Sequence, residues 1–149
     1  MNNPHGEFEC SITGQVLLLS ARGPWNDETM RNGVIKMSAD ISRLGDNTTW
    51  AQLSCLYGES LMPPSTFNIF VKQTRIRKSR GLTFLAVVIL DTDIMLTTQR
   101  QISQCYELAG VPYCFYSSVK EALDAISLRA FKVERKEAER FFNRFDFSS

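Results

Sequence analysis

The chain has 149 residues, 44% of them apolar, with 17 Lys plus Arg against 16 Asp plus Glu and a formal charge of +1. That length suits one domain burying roughly 68–70% of its unfolded surface, with no need of a disulfide or metal staple. The balanced charge leaves no bulk field for nucleic acid, and no apolar run approaches the length that spans a membrane. Met1 to Gly14 contain no Lys or Arg and the first apolar run, Val16 to Leu19, is too short for a signal peptide, so a cytoplasmic location is expected.

Residues 7–13 alternate Phe8, Cys10 and Ile12 against Glu7, Glu9, Ser11 and Thr13, the period of an edge strand with one wet face. Gly14 and Gln15 turn this tightly into residues 16–21, apolar on both faces and therefore interior. Arg22 to Asn26 break the pattern, and Asn26 or Asp27 caps a helix whose stripe is Met30, Val34, Met37, Ile41 and Leu44. Gly45, Asp46 and Asn47 stop it. A third strand over residues 49–57 ends at Gly58, and Pro63 and Pro64 delay the next helix until Ser65 or Thr66 caps residues 65–80.

Residues 82–90 are the most continuously apolar segment, with Val87, Val88 and Ile89, and suit a central strand. A helix over residues 97–109 and a strand over residues 111–116 follow. Ser117 or Ser118 with Glu121 forms a capping box for a helix containing Ala122, Leu123 and Ile126. Phe131, Ala138, Phe141, Phe142 and Phe145 share one face of a further amphipathic helix over residues 131–146. The expected fold is α/β: a single mixed, mainly parallel sheet of about five strands with an amino-terminal antiparallel hairpin, about four crossover or flanking helices and an extra carboxyl-terminal helix.

Reactive chemistry is sparse. Cys10, Cys55, Cys105 and Cys114 are scattered without a C-x-x-C pair, and the sole histidine, His5, lies near the start, so zinc and redox motifs are absent. Buried, inert thiols are expected, with a Cys105 to Cys114 bridge as the alternative. Asn47, Thr48 and Thr49 spell a glycosylation acceptor that reads as a turn. No histidine-assisted triad, phosphate loop or dinucleotide fingerprint is present, so a chain without catalysis or cofactor is expected.

Asp91 and Asp93, after the strand over residues 82–90, read as turn formers, with a metal-assisted hydrolase as the rival. Lys72, Arg75, Arg77, Lys78 and Arg80 read as a solvated helix end or, behind Phe67, Ile69, Phe70 and Val71, as a grip for an anionic protein or membrane surface. Trp25 is expected to anchor a loop, and Tyr57, Leu61 and Met62 to line the mouth of the sheet, where a small apolar ligand is an alternative occupant. The terminal phenylalanines are expected to dock on the chain's own sheet, with homodimerisation the competitor.

Two stretches resemble the STAS group, the sulfate-transporter and anti-sigma-factor-antagonist domains, in their stage II sporulation protein AA-like form. One is Gly14-Gln15-Val16-Leu17-Leu18-Leu19 leading to Arg22-Gly23-Pro24-Trp25-Asn26. The other is Val111-Pro112-Tyr113-Cys114-Phe115-Tyr116-Ser117-Ser118-Val119-Lys120-Glu121-Ala122-Leu123. The resemblance covers residues 7–128 and leaves the Phe-rich end outside. It implies a regulatory interaction module rather than an enzyme, in many members switched by phosphorylation where the helix after the third strand begins. An offshoot of the group is thought to bind small apolar ligands or membranes. The corresponding stretch here, Tyr57 to Thr66, lacks the family's Asp-Ser-Ser or Asp-Ser-Thr followed by Gly, and Ser60 and Ser65 are the hydroxyls placed to inherit the switch.

Overall fold

The period-two segment at the start forms β1 (Glu7–Thr13), which pairs antiparallel with β2 (Val16–Arg22). Gly14 makes the turn at φ +57, and a Cβ there would lie 2.3 Å from the Lys132 carbonyl oxygen. Glycine is thus required both by its left-handed backbone and by close approach of the later chain. These coordinates are a computed structural model describing residues 7–45 and 47–149, so His5 and Asp46 lie outside the described residues.

β3 (Trp50–Tyr57), β4 (Leu82–Leu90) and β5 (Tyr113–Tyr116) complete one sheet in the order β1-β2-β3-β4-β5, parallel from β2 onward. The crossovers contain α1 (Asp27–Leu44), α2 (Pro64–Ser79) and α3 (Met95–Ala109). Because each crossover steps one strand in the same direction, all three helices cover the same face of the sheet. Their core contains Leu17, Leu19, Met37, Ile41, Trp50, Val71, Leu85, Ile102 and Tyr106. α4 (Val119–Leu128) and α5 (Arg135–Arg144) cover the other face, over Val16, Leu18, Leu53, Cys55, Phe84 and Val88. The expected fold class is the observed one.

Local signals explain most boundaries. Asn26 caps α1, its side-chain oxygen accepting from the Thr29 amide at 2.8 Å. At α4 the Glu121 amide donates to Ser118 Oγ (3.1 Å), and Glu121 Oε2 accepts from the Ser117 amide (3.2 Å) and hydroxyl (2.7 Å), closing the expected capping box. α2 departs from expectation. Its N-cap is Pro63, with no side-chain cap, and Ser65 and Thr66 donate instead to Asp27 Oδ1 at 2.9 and 2.7 Å, tying α2 to the start of α1. α3 begins at Met95, two residues before the expected start. The centre of the sheet is β3 rather than the more apolar β4. Both strands are covered on both faces, so apolarity alone does not rank them.

The phenylalanine face is covered within the chain. Phe141 and Phe142 are buried against the sheet and pack edge to face at 5.0 Å, while Phe145 and Phe147 lie partly buried on the same cluster. The chain after α5 is strapped to β2: Ser20 Oγ donates to the Phe145 carbonyl at 2.6 Å and Arg22 Nη1 to the Phe147 carbonyl at 2.7 Å. Among the described residues no helix is long and apolar enough to cross a membrane.

Candidate functional site

A mainly apolar cavity lies between the sheet and the α1–α3 layer. β3 directs Gln52, Ser54 and Leu56 into it, since alternate residues of a strand share a face. α1 contributes Met30 and Met37, α2 Phe70 and Arg77, and α3 Ile102 and Tyr106. Its space, counted as what the centre of a water-sized sphere can occupy, is about 50 Å³. One water needs roughly 10–15 Å³ on that measure and a benzene ring a cavity of about 150 Å³, so the cavity accepts a ligand of only about four heavy atoms.

Two loops close the cavity at the carboxyl ends of the strands. Trp25, 8% exposed, packs edge-on against Phe8 with ring centroids 6.3 Å apart. Ser60 and Met62 come from the loop after β3. This loop is pinned by Gln101 of α3, whose Oε1 accepts from the Met62 amide and whose Nε2 donates to the Met62 carbonyl, both at 2.8 Å. Gly23 lies beneath it so closely that a Cβ would stand 1.9 Å from the Glu59 carbonyl oxygen.

The cavity's polar groups are few and incompletely partnered. Arg77 is 3% exposed and its Nη2 donates to Thr74 Oγ1 at 3.1 Å, while its Nε has no partner among the described residues. Burial pushes its pKa down from the ordinary value, and Tyr106 and Cys105 oppose that shift. Gln52 Nε2 donates to Ser54 Oγ at 2.9 Å and leaves Oε1 unpartnered among the described residues. Burial raises the Tyr106 hydroxyl above its usual range.

The expected site residues are only partly brought together. Trp25 and Met62 line the cavity. Tyr57 is turned to the opposite face, where it meets Phe147 edge-on at 6.2 Å, so it does not line the mouth. Leu61 is 38% exposed outside the cavity, and Phe67 sits in a shallow groove with Gln104 and Leu108. Lys72, Arg75 and Lys78 are exposed as expected of a solvated helix end, but Arg77 is not. It falls seven residues after Phe70 on the stripe Phe67, Phe70, Val71, Thr74, and helical periodicity turns it inward. Ser60 is 2% exposed and donates to the Tyr57 carbonyl at 3.3 Å, which withdraws it from a kinase. Ser65 is exposed and faces the Asp27 carboxylate, so a phosphate there meets a like charge instead of free helix amides.

A second, wider and polar cleft at the strand ends is lined by Arg22, Glu59, Asp91 and Asp93. Asp91 Oδ2 is taken up by Arg22 Nη1 at 2.6 Å and by the Ser149 amide and hydroxyl at 2.9 and 3.0 Å. The hydrogen bond from Arg22, followed by those from Ser149, holds its carboxyl at about 2. No group of three His, Cys, Asp or Glu side chains suited to a metal occurs among the described residues.

All four thiols are free, so Cys105 and Cys114 are not bridged. Burial raises Cys10 to about 12 and Cys55 and Cys105 to about 11, and Asp40 contributes at Cys10. The sequence reading missed Gln52 and Ser54, whose signal is a polar pair at alternate positions on a strand otherwise apolar on both faces. No family model, curated protein or solved structure matches the chain.

Proposed function

We propose that this chain is a non-catalytic module that senses or carries a small apolar ligand held between the sheet and α1–α3. The observation carrying this reading is the largely buried cavity between the sheet and α1–α3, lined by Leu19, Met30, Met37, Leu56, Phe70 and Ile102. The absence of turnover is supported by the dispersal of reactive groups. Asp91 is committed to Arg22 and Ser149, and three thiols are raised far above neutrality.

A protein-interaction role is favoured by a separate observation: the exposed cations Lys72, Arg75, Lys78 and Arg80 form no ion pair among the described residues. α2 therefore offers its inner face to the cavity and an unneutralised outer face to an acidic partner or anionic surface. The two roles combine in a sensor whose occupancy is read through α2. The resemblance to STAS modules agrees with this division but does not carry it.

Methionine methyl resonances test the cavity directly. Met30, Met37 and Met62 line it, while Met95 is 42% exposed elsewhere. Titration with xenon, an apolar probe small enough for this space, is expected to move the first three signals in a saturable way and leave Met95 in place. Equal movement of all four, or of none, would overturn the reading.

A further inference from the structure

Arg77 is a fixed positive charge without an anion among the described residues. Its residue type does not shed the proton under any condition that leaves a protein folded, so burial is not relieved by neutralisation as it is for a lysine. Among the described residues the ion pairs are Arg22–Asp91, Lys36–Glu9, Arg43–Asp40 and Arg135–Asp124, and none reaches Arg77. The guanidinium groups over aromatic rings are those of Arg129 and Arg144. One neutral hydroxyl, Thr74 Oγ1 at 3.1 Å, is the side-chain partner of a group with five donors. Buried charges in folded proteins are ordinarily paired, because taking an ion out of water unpaired carries a large desolvation penalty. Apart from the neutral polar side chains of Gln52, Ser54 and Ser60, the remaining walls are aliphatic and aromatic.

We infer that the cavity ligand is a small monocarboxylate with a compact apolar body, its carboxylate held by Arg77 at the inner face of α2 and its body against Leu19, Met37 and Ile102. The planar guanidinium fork matches a carboxylate in two parallel hydrogen bonds. A single cation in an apolar enclosure suits one negative charge and disfavours a phosphate dianion, whose second charge would stay unpaired. Gln52 offers a further polar contact, since its amide presents either an oxygen to a ligand hydroxyl or, turned over, its NH₂ to the carboxylate. The size of the cavity limits the ligand to about four heavy atoms, a carboxylate carrying little more than a methyl group. This inference rests on the ligand-binding reading above and names the chemical class that the same cavity takes.

The test uses the full chain with acetate and its neutral isostere acetamide, followed by the Met30, Met37 and Met62 methyl signals and by calorimetry. Acetate is expected to bind at least tenfold more tightly than acetamide. Arg77→Met should abolish that preference while keeping acetamide or xenon binding, and Arg75→Gln, on the exposed side of α2, should leave it intact. Acetamide binding as tightly as acetate would overturn the carboxylate assignment and leave the cavity reading standing. Failure of acetate, acetamide and xenon alike would remove the cavity reading itself. Inorganic phosphate competing better than acetate would overturn the monocarboxylate class. If Arg77→Met does not fold, the ligand pair on the unaltered protein still decides, with Arg77→Lys, which keeps the charge but not the fork, expected to lose at least threefold of the preference.

Discussion

At position 77 a guanidinium is 3% exposed with, among the described residues, one side-chain hydrogen bond and no counter-charge, so it stabilises the unliganded fold little and costs its own desolvation. Replacement by Met, of similar length and without charge, is expected to raise the stability of the unliganded protein by on the order of 1 kcal/mol, or about 2–4 °C in Tm. The double change Arg75→Gln with Lys78→Gln should alter stability by no more than about 0.5 kcal/mol per site, as exposed positions do. Thermal unfolding of both variants checks the contrast, and equal responses would place Arg77 on the surface. The thiols give a second prediction at this scale. With Cys10 at about 12 and Cys55 and Cys105 at about 11, almost no thiolate is present at pH 8. Mass spectrometry after brief iodoacetamide treatment should find these three unmodified in the folded protein and all four cysteines modified in denaturant.

At the scale of elements, the strap that follows α5 depends on Asp91. Its folded pKa of about 2 lies below the ordinary carboxylate value of 3.8, so ionisation favours the folded form. The stabilisation is complete above about pH 4 and is lost as the pH falls toward 2. Asp91→Asn is expected to lower Tm at neutral pH, with the gap to the unaltered protein closing between pH 4 and 2. A gap that stays constant across that range would show that the carboxylate charge plays no part. Asp91 illustrates how differently elements and their sites are legible. Its position at the end of β4 followed from the apolar run of residues 82–90, whereas Arg22 and Ser149, 69 and 58 positions away, are brought to it only by the sheet and the strap. The same limit applies to Ser65, a cap by its place before an apolar stripe. In the folded chain it is a donor to Asp27, because Pro63 and Pro64 start the helix one residue earlier.

For the whole molecule, the strand order makes β3 the most protected element, with a neighbour on each side and helices on both faces. Native-state hydrogen exchange should therefore be slowest at β3 and the facing residues of β4, and faster at β5, a short edge strand whose four residues are all only half-buried. Protection greatest in β1 or β5 would contradict the observed order. By itself the sequence determined which segments are strands and helices, the antiparallel start, the parallel continuation and the shared helical face of the terminal phenylalanines. Each of these follows from apolar spacing within a few residues, capping chemistry and the geometry of a helical crossover. Only the tertiary structure decided that β3 and not β4 is central, that Tyr57 faces away from the cavity, and that Arg77, Gln52 and Ser54 meet in it. The reason is physical: periodicity fixes which side of its own element a residue takes, but what lies on that side is set by contacts between segments far apart in the chain.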